Sequence, residues 1–270
     1  MKLTIQAYSD KGCTRDHNED MLSLGGYLLR DTGTDLTVNI QEMGKFHLLV
    51  SDGMGGHEKG EVASRELLES IDKLMADREF DSLDAFVSTF ADHIAGISAD
   101  FNGRAVEEGQ KSAMGCTLTG VFWLLGQILL VNSGDSRTYR FRNGRLTQLT
   151  TDDTERGITG NDEDKKLLLS CIGAGSMGAV KVENITDRLL DEDMIVICSD
   201  GLTDEVSEDE MEVILSNDFE PAYGLVERAR DNGGHDNISV IVALVGEGEF
   251  APGLSDEDYI DDDGRFDAWA

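Results

Sequence analysis

The chain has 270 residues, 40% of them apolar, enough for one large domain or two small ones with a sizeable buried core. Its 54 acidic residues against 23 basic ones give a formal net charge of −31. That balance argues against nucleic acid and anionic membrane as partners, which would be repelled, and suits divalent cations wherever carboxylates converge.

The first element in chain order is "KLTIQAYSD", where Leu3, Ile5 and Ala7 share one face at period two, so it reads as a strand and not as a signal peptide. "DMLSLGGYLLR" and "FHLLVSD" read as further strands, joined by a loop, "DTGTDLTVNIQEMGK". From Gly60 to about Arg78 the period changes: Val62, Leu67, Leu68, Ile71, Leu74 and Met75 form one helical stripe. Ser82 caps a second helix with Leu83, Phe86, Val87, Phe90 and Ile94 on its apolar side. The run from Gly115 to Thr150 carries three or four strands, and its "RNGR" is a hairpin turn.

Residues 152–178 are polar and Gly-rich, a short acidic flap. "MIVICSD" is a buried strand with Cys198 in the core. A short helix opens at Ser207, another runs from about Phe219 to Arg230, and "DNISVIVALV" closes a domain spanning 1–246. Residues 247–270 hold nine acids and one Arg and read as a disordered tail. Strands, two helices, strands, helices and a strand make an α+β architecture of antiparallel strands. Cys13, Cys116, Cys171 and Cys198 have neither metal-knuckle nor disulfide spacing, and no apolar run has membrane-spanning length, so a cytoplasmic setting is expected.

Acids recur where apolar strands stop. Asp52 ends "LLVSD", Asp135 follows "ILLVNSG", Asp200 ends "MIVICSD", Asp236 precedes "NISVIV", and Glu19 and Asp20 precede "MLSL". Each alone is an ordinary turn or cap residue. Five such places on buried strands are harder to assign to turns. Converging carboxylates raise one another's pKa unless a cation sits among them, and an oxygen-only set suits Mg²⁺ or Mn²⁺. No HExxH and no Cys/His cluster supports zinc. Three glycines beside Asp52, in "DGMGGH", would bring backbone close to something small and charged.

The segments "RDHNED", "VSDGMGGH", "GCTLTGVF", "NSGDSRTYRFRNGRLTQLT", "SDGLTDEV" and "GGHDNISVIV" resemble, in order and rough spacing, the metal-dependent Ser/Thr protein phosphatases of the protein phosphatase 2C (PPM) type, bacterial branch. The resemblance runs from about residue 4 to 245. It implies a four-layer α-β-β-α sandwich, two antiparallel sheets flanked by helix pairs, with two metals in a cleft at one edge. Residue by residue it implies that Asp52 bridges both metals and Gly53 lends its carbonyl to one. Asp200 and Asp236 match ligands of one metal, Glu19 an acid holding the second through water, and Asp20 its neighbour. Asp135 matches the ligand of a weaker third metal, and Arg15 the arginine that grips the substrate phosphate.

The implied reaction is hydrolysis of phosphoserine and phosphothreonine in proteins by a water activated between Mn²⁺ or Mg²⁺ ions, opposed to a Ser/Thr kinase, in a monomer. Met54 stands where animal members place a His. His57, three residues on, is a candidate substrate-binding residue or a plain helix-start His. Two other readings stay open: a non-catalytic signalling or scaffold protein on the same fold, and a hydrolase of small phosphate esters. The flap acids Asp152, Asp153, Glu155, Asp162, Glu163 and Asp164 would favour basic substrate flanks if they border the cleft.

Overall fold

The structure is a computed structural model that describes residues 1–55, 58–107, 114–154, 158–159, 168–176, 178–248 and 250. In chain order the strands and helices begin with β1 (Lys2–Asp10), β2 (Met21–Leu24), β3 (Tyr27–Leu29), β4 (Gly33–Asn39), the one-turn α1 (Ile40–Met43), β5 (Lys45–Ser51) and β6 (Gly53–Met54). The long helices α2 (Glu58–Asp77) and α3 (Leu83–Glu107) follow. Then come β7 (Gly115–Cys116), β8 (Leu118–Leu124), β9 (Gln127–Ser133), β10 (Arg137–Arg142), β11 (Arg145–Gln148), β12 (Ile172–Gly173), β13 (Lys181–Asn184) and β14 (Met194–Cys198). The chain ends with α4 (Asp200–Thr203), α5 (Glu208–Asn217), α6 (Pro221–Asp231) and β15 (Ile238–Val245).

Two six-stranded sheets form, ordered β11-β10-β14-β15-β1-β4 and β13-β9-β8-β5-β2-β3, with a small third sheet β12-β7-β6 at one end. The alternation in β1 explains the layering. Leu3, Ile5 and Ala7 point inward to a core between the large sheets, shared with Leu22, Leu48, Val50, Trp123, Ile195 and Ile241. The stripes of α2 and α3 cover the outer face of the second sheet, where Phe86, Phe90 and Phe122 pack with ring centroids 5.2–5.4 Å apart. Helices α5 and α6 cover the outer face of the first sheet through Met211, Leu215, Leu225 and Val226. Each fully buried side chain of this kind contributes about 1.5–3 kcal/mol. The four layers are helices, sheet, sheet, helices, as expected.

Local signals worked where they were strong. Ser82 Oγ accepts from Ala85 N (3.2 Å) at the start of α3, and Ser207 with Glu210 forms a reciprocal capping box on α5. The "RNGR" turn has φ of 51° at Asn143 and 75° at Gly144, which joins β10 to β11 as a hairpin.

One expectation fails. The segment read as a loop between two strands contains β4, which pairs antiparallel with β1 from Lys2↔Asn39 to Tyr8↔Gly33. Its partly buried residues alternate with exposed ones, with Leu36 and Val38 against the inter-sheet core. An edge strand buries only half of each alternate side chain, so its sequence stays polar and reads as loop. The body also extends past Gly246: Phe250 packs partly against the outer core of the first sheet. Among the described residues no helix is long and apolar enough to cross a membrane.

Candidate active site

The strand ends named above meet at one edge of the sandwich. Asp52 lies where β5 leaves the large sheet and continues as β6 in the small one, pairing Gly53 with Cys116. Thr117 clamps the junction: its N–H donates to the Asp52 carbonyl (2.8 Å), and its Oγ1 accepts from the Asp52 N–H (3.0 Å). Thr117 Oγ1 also bonds Ser136 Oγ (2.7 Å), beside Asp135, so one hydroxyl ties two acid-bearing turns together. The glycine at 53 is required by contact. A Cβ there would lie 2.0 Å from the Gly60 carbonyl oxygen and 2.6 Å from that of Glu19. Glu19 in turn places its carboxylate against Gly60, where a Cβ would come within 2.7 Å of Oε2.

Asp20 is fully buried under the rim. Its Oδ2 accepts from Ser199 Oγ (2.8 Å), while its Oδ1 has no hydrogen-bond partner. Burial is the main cause that pushes its pKa up to about 7; Ser199 and Ser239 oppose the rise, and Asp200 and Asp236 add to it. Asp52 is raised well above the carboxylate range, first by burial and then by Asp20, Asp200, Asp236 and Asp135. Asp135 rises to about 7, first by burial and then by Asp200. Five carboxylates therefore feel one another at a single edge, and the fold holds them there at an electrostatic cost.

Asp236 is held differently. Arg15, exposed at the mouth, puts Nη2 2.6 Å from Asp236 Oδ2. Among the described residues no three acid, imidazole or thiol groups stand as a closed ligand set for one ion. Arg15 occupies one of the acids. The chemistry of the donors still fits hard divalent cations. They are oxygens on rigid strand ends, one of them the orphaned Asp20 Oδ1, and the nearby thiols are no thiolates. Burial pushes Cys116 far up and Cys171 to about 11.

Residues that sequence reasoning passed over hold the loop between β1 and β2. Asn237 is buried; its Nδ2 donates to the carbonyls of Lys11 and His17 (both 2.9 Å), and its Oδ1 accepts from Glu19 N–H (2.8 Å). Asn18 bonds Ser9 Oγ (3.0 Å) and Asp31 (2.9 Å), and Ser239 joins Ser9 to this network (2.9 Å). Arg30 donates to the Asp20 carbonyl (2.7 Å) and pairs with Glu61. The signal for Asn237 and Asn18 was their place beside the acids in "HDNIS" and "HNED". His57 lies outside the described residues. So do the flap acids Glu155, Asp162, Glu163 and Asp164. Asp152 and Asp153 face inward: Asp152 grips Arg137 by two oxygens (2.9 and 2.7 Å), and buried Asp153 pairs with Lys181 and accepts from Gly134 N–H (3.1 Å). These two are not free to repel a substrate.

A sandwich of this layering with converging acids at one edge is the architecture of metal-dependent phosphatases. The family model "Protein phosphatase 2C" matches residues 34–233, and the chain belongs to that family. It is 34% identical over 257 residues to the serine/threonine protein phosphatase PstP of Mycobacterium tuberculosis, over 90% of this chain and 45% of that protein. It thus spans about half the length of the mycobacterial relative. With the serine/threonine phosphatase stp of Listeria welshimeri it shares 31% identity over 253 residues, covering 87% of this chain and 92% of that one. The crystal structure of the PstP catalytic domain in complex with two manganese ions superposes with a TM-score of 0.69 at 28% identity, covering 90% of this chain and all of that one.

Proposed function

We propose that the chain hydrolyses phosphoserine and phosphothreonine esters in proteins, in signalling opposed to a Ser/Thr kinase, with Mn²⁺ or Mg²⁺ held by the carboxylate edge. The observation that carries this reading is the group of mutually repelling acids, Asp20, Asp52, Asp135, Asp200 and Asp236, gathered at one edge of the sandwich. In this reading Asp52, the Gly53 carbonyl, Asp200 and Asp236 would hold the ions, and Glu19, Asp20 and Asp135 would support them from the same edge. Bound ions supply Lewis acidity at the phosphoryl oxygens and lower the pKa of the attacking water.

The chain's own groups do the rest. Arg15 swings its planar fork from Asp236 to the equatorial phosphate oxygens, where charge accumulates in the transition state. Thr117 and Asn237 hold Asp52 and the Glu19 loop, so the acids need little reorganisation when substrate arrives. His57 is a candidate for substrate binding. Free cysteines, of which Cys116, Cys171 and Cys198 are buried, agree with a reducing cytoplasm.

The test is hydrolysis of a phosphothreonine peptide and of p-nitrophenyl phosphate, side by side, with Mn²⁺ and with excess EDTA. The expected result is peptide hydrolysis with Mn²⁺ that EDTA abolishes. Activity on the small ester alone would make the chain a small-ester hydrolase. No hydrolysis of either, with metal bound, would make it a scaffold.

A further inference from the structure

Arg30 follows β3 directly, and the strand register explains where it sits. Strands β2 and β3 pair from Leu24↔Tyr27 to Leu22↔Leu29. One step further places Arg30 opposite Met21, beside the strand end that bears Glu19 and Asp20. The next residue, Asp31, has left-handed backbone (φ 53°) and accepts from Asn18 Nδ2 (2.9 Å). Residues 30 and 31 thus flank the segment Asn18–Asp20.

The Arg30 side chain is 13% exposed and spends its fork on two elements at once. Nε donates to the Asp20 carbonyl (2.7 Å), at the head of β2. Nη2 donates to the Glu61 carbonyl (3.1 Å) and to Ser64 Oγ (3.0 Å), and Nη1 pairs with Glu61 Oε1 (2.8 Å), all in the first turns of α2. Ser64 Oγ passes the link on by donating to the Glu19 carbonyl (2.5 Å), which also accepts from Gly53 N–H (3.1 Å). One rigid guanidinium sets all these directions. A lysine ammonium at the same place has the charge but not the fork.

The start of α2 reaches the carboxylate edge by contact. At Gly60 a Cβ would lie 2.7 Å from Glu19 Oε2 and 2.8 Å from the Gly53 carbonyl carbon, so the first turn of α2 is wedged between those two groups. The spacing between the Glu19 carboxylate and the Gly53 carbonyl therefore follows the seat of that turn, and Arg30 with Ser64 ties the turn to β2. We infer that Arg30 is a positioning residue for the carboxylate edge, holding Glu19, Asp20 and Gly53 at the mutual distances that a divalent cation needs. This rests on the metal reading above. A purely structural clamp predicts lower stability and nothing more. A positioning role predicts weaker cation binding as well, because groups behind the ligands set metal affinity by about 10–100-fold.

The experiment titrates Mn²⁺ into the full chain, stripped of metal with EDTA and dialysed, by isothermal calorimetry without substrate. Arg30→Lys, which keeps the charge and loses the fork, should raise Kd about tenfold. Ser64→Ala, which cuts only the link to Glu19, should raise it about threefold, as loss of one hydrogen bond implies. Arg142→Lys is the control. Arg142 makes a forked contact with Asp193 (2.5 and 2.6 Å) on the first sheet, so this variant should lower Tm and leave Kd unchanged. A wild-type Kd in Arg30→Lys would overturn the inference and make Arg30 a structural clamp. So would a Kd that rises equally in Arg142→Lys, because lost stability would then explain both. If Arg30→Lys does not fold, Ser64→Ala decides, and an unchanged Kd there overturns the inference. A wild-type chain that binds no Mn²⁺ would overturn the metal reading itself, and this inference with it.

Discussion

Two groups of acids in this molecule are built on opposite terms. At the carboxylate edge, Asp20, Asp52, Asp135, Asp200 and Asp236 stand among one another, and burial with mutual repulsion raises Asp52 and brings Asp20 and Asp135 to about 7. At the root of the flap, Asp152 and Asp153 each face a cation, Arg137 and Lys181. Acids that face cations hold a turn in place. Acids that face acids lower the stability of the metal-free fold, and a divalent cation held among them, as proposed, would relieve that strain. The residue type is the same in both places; the neighbours differ, cations at the flap root and other acids at the edge.

The sharpest way to break this contrast is to neutralise one acid at the edge. Asp200→Asn should cut turnover on a phosphothreonine peptide by about 10³-fold, near 4 kcal/mol, while the metal-free Tm holds or rises. A metal-free Tm that falls steeply would make Asp200 a structural acid. The second test is pH. The raised acids have folded pKa values above their unfolded ones, so the fold binds more protons than the unfolded chain. In EDTA, stability should therefore decline as pH rises from about 4 to 7, lowering Tm by roughly 5 °C or more. Added Mn²⁺ should flatten that slope, and a slope that Mn²⁺ leaves untouched would place the cause elsewhere.

At the flap root the opposite pattern is expected. Asp152→Ala strands Arg137 partly buried and should cost about 2 kcal/mol in urea denaturation, less than for a fully buried pair because both partners keep some solvent. Turnover should change little, and a loss as large as that of Asp200→Asn would erase the distinction. The smallest effect belongs to an acid with a cation but no burial. Glu247 lies 3.6 Å from Lys2 and is exposed, a pair worth little. Ending the chain after Phe250 should leave Tm unchanged. Ending it after Gly246 should lower Tm by about 2–4 °C, mostly through Phe250 leaving the core. Equal Tm values for the two truncations would show that Phe250 contributes nothing.

The sequence by itself determined what is local. Periods of two and 3.6 placed β1, α2 and α3, the caps Ser82 and Ser207 opened their helices, and Asn143-Gly144 made its hairpin. In each, the residues that cause the element are the ones that form it. The acids at strand ends were legible for the same reason, because a strand's rigidity fixes where its last residue points. The tertiary structure alone decided what depends on register between distant segments. Strand β4 exists because β1 offers it a free edge, and its own polar alternation is too weak to announce it. Asn237 matters because β15 starts beside the β1–β2 loop, more than 200 residues away in the chain. The sequence shows Asp152 and Asp236 alike as acids beside a strand. Only the fold sets Asp152 on Arg137 and gathers Asp236 with four other carboxylates, because a charge acts through space and not along the chain.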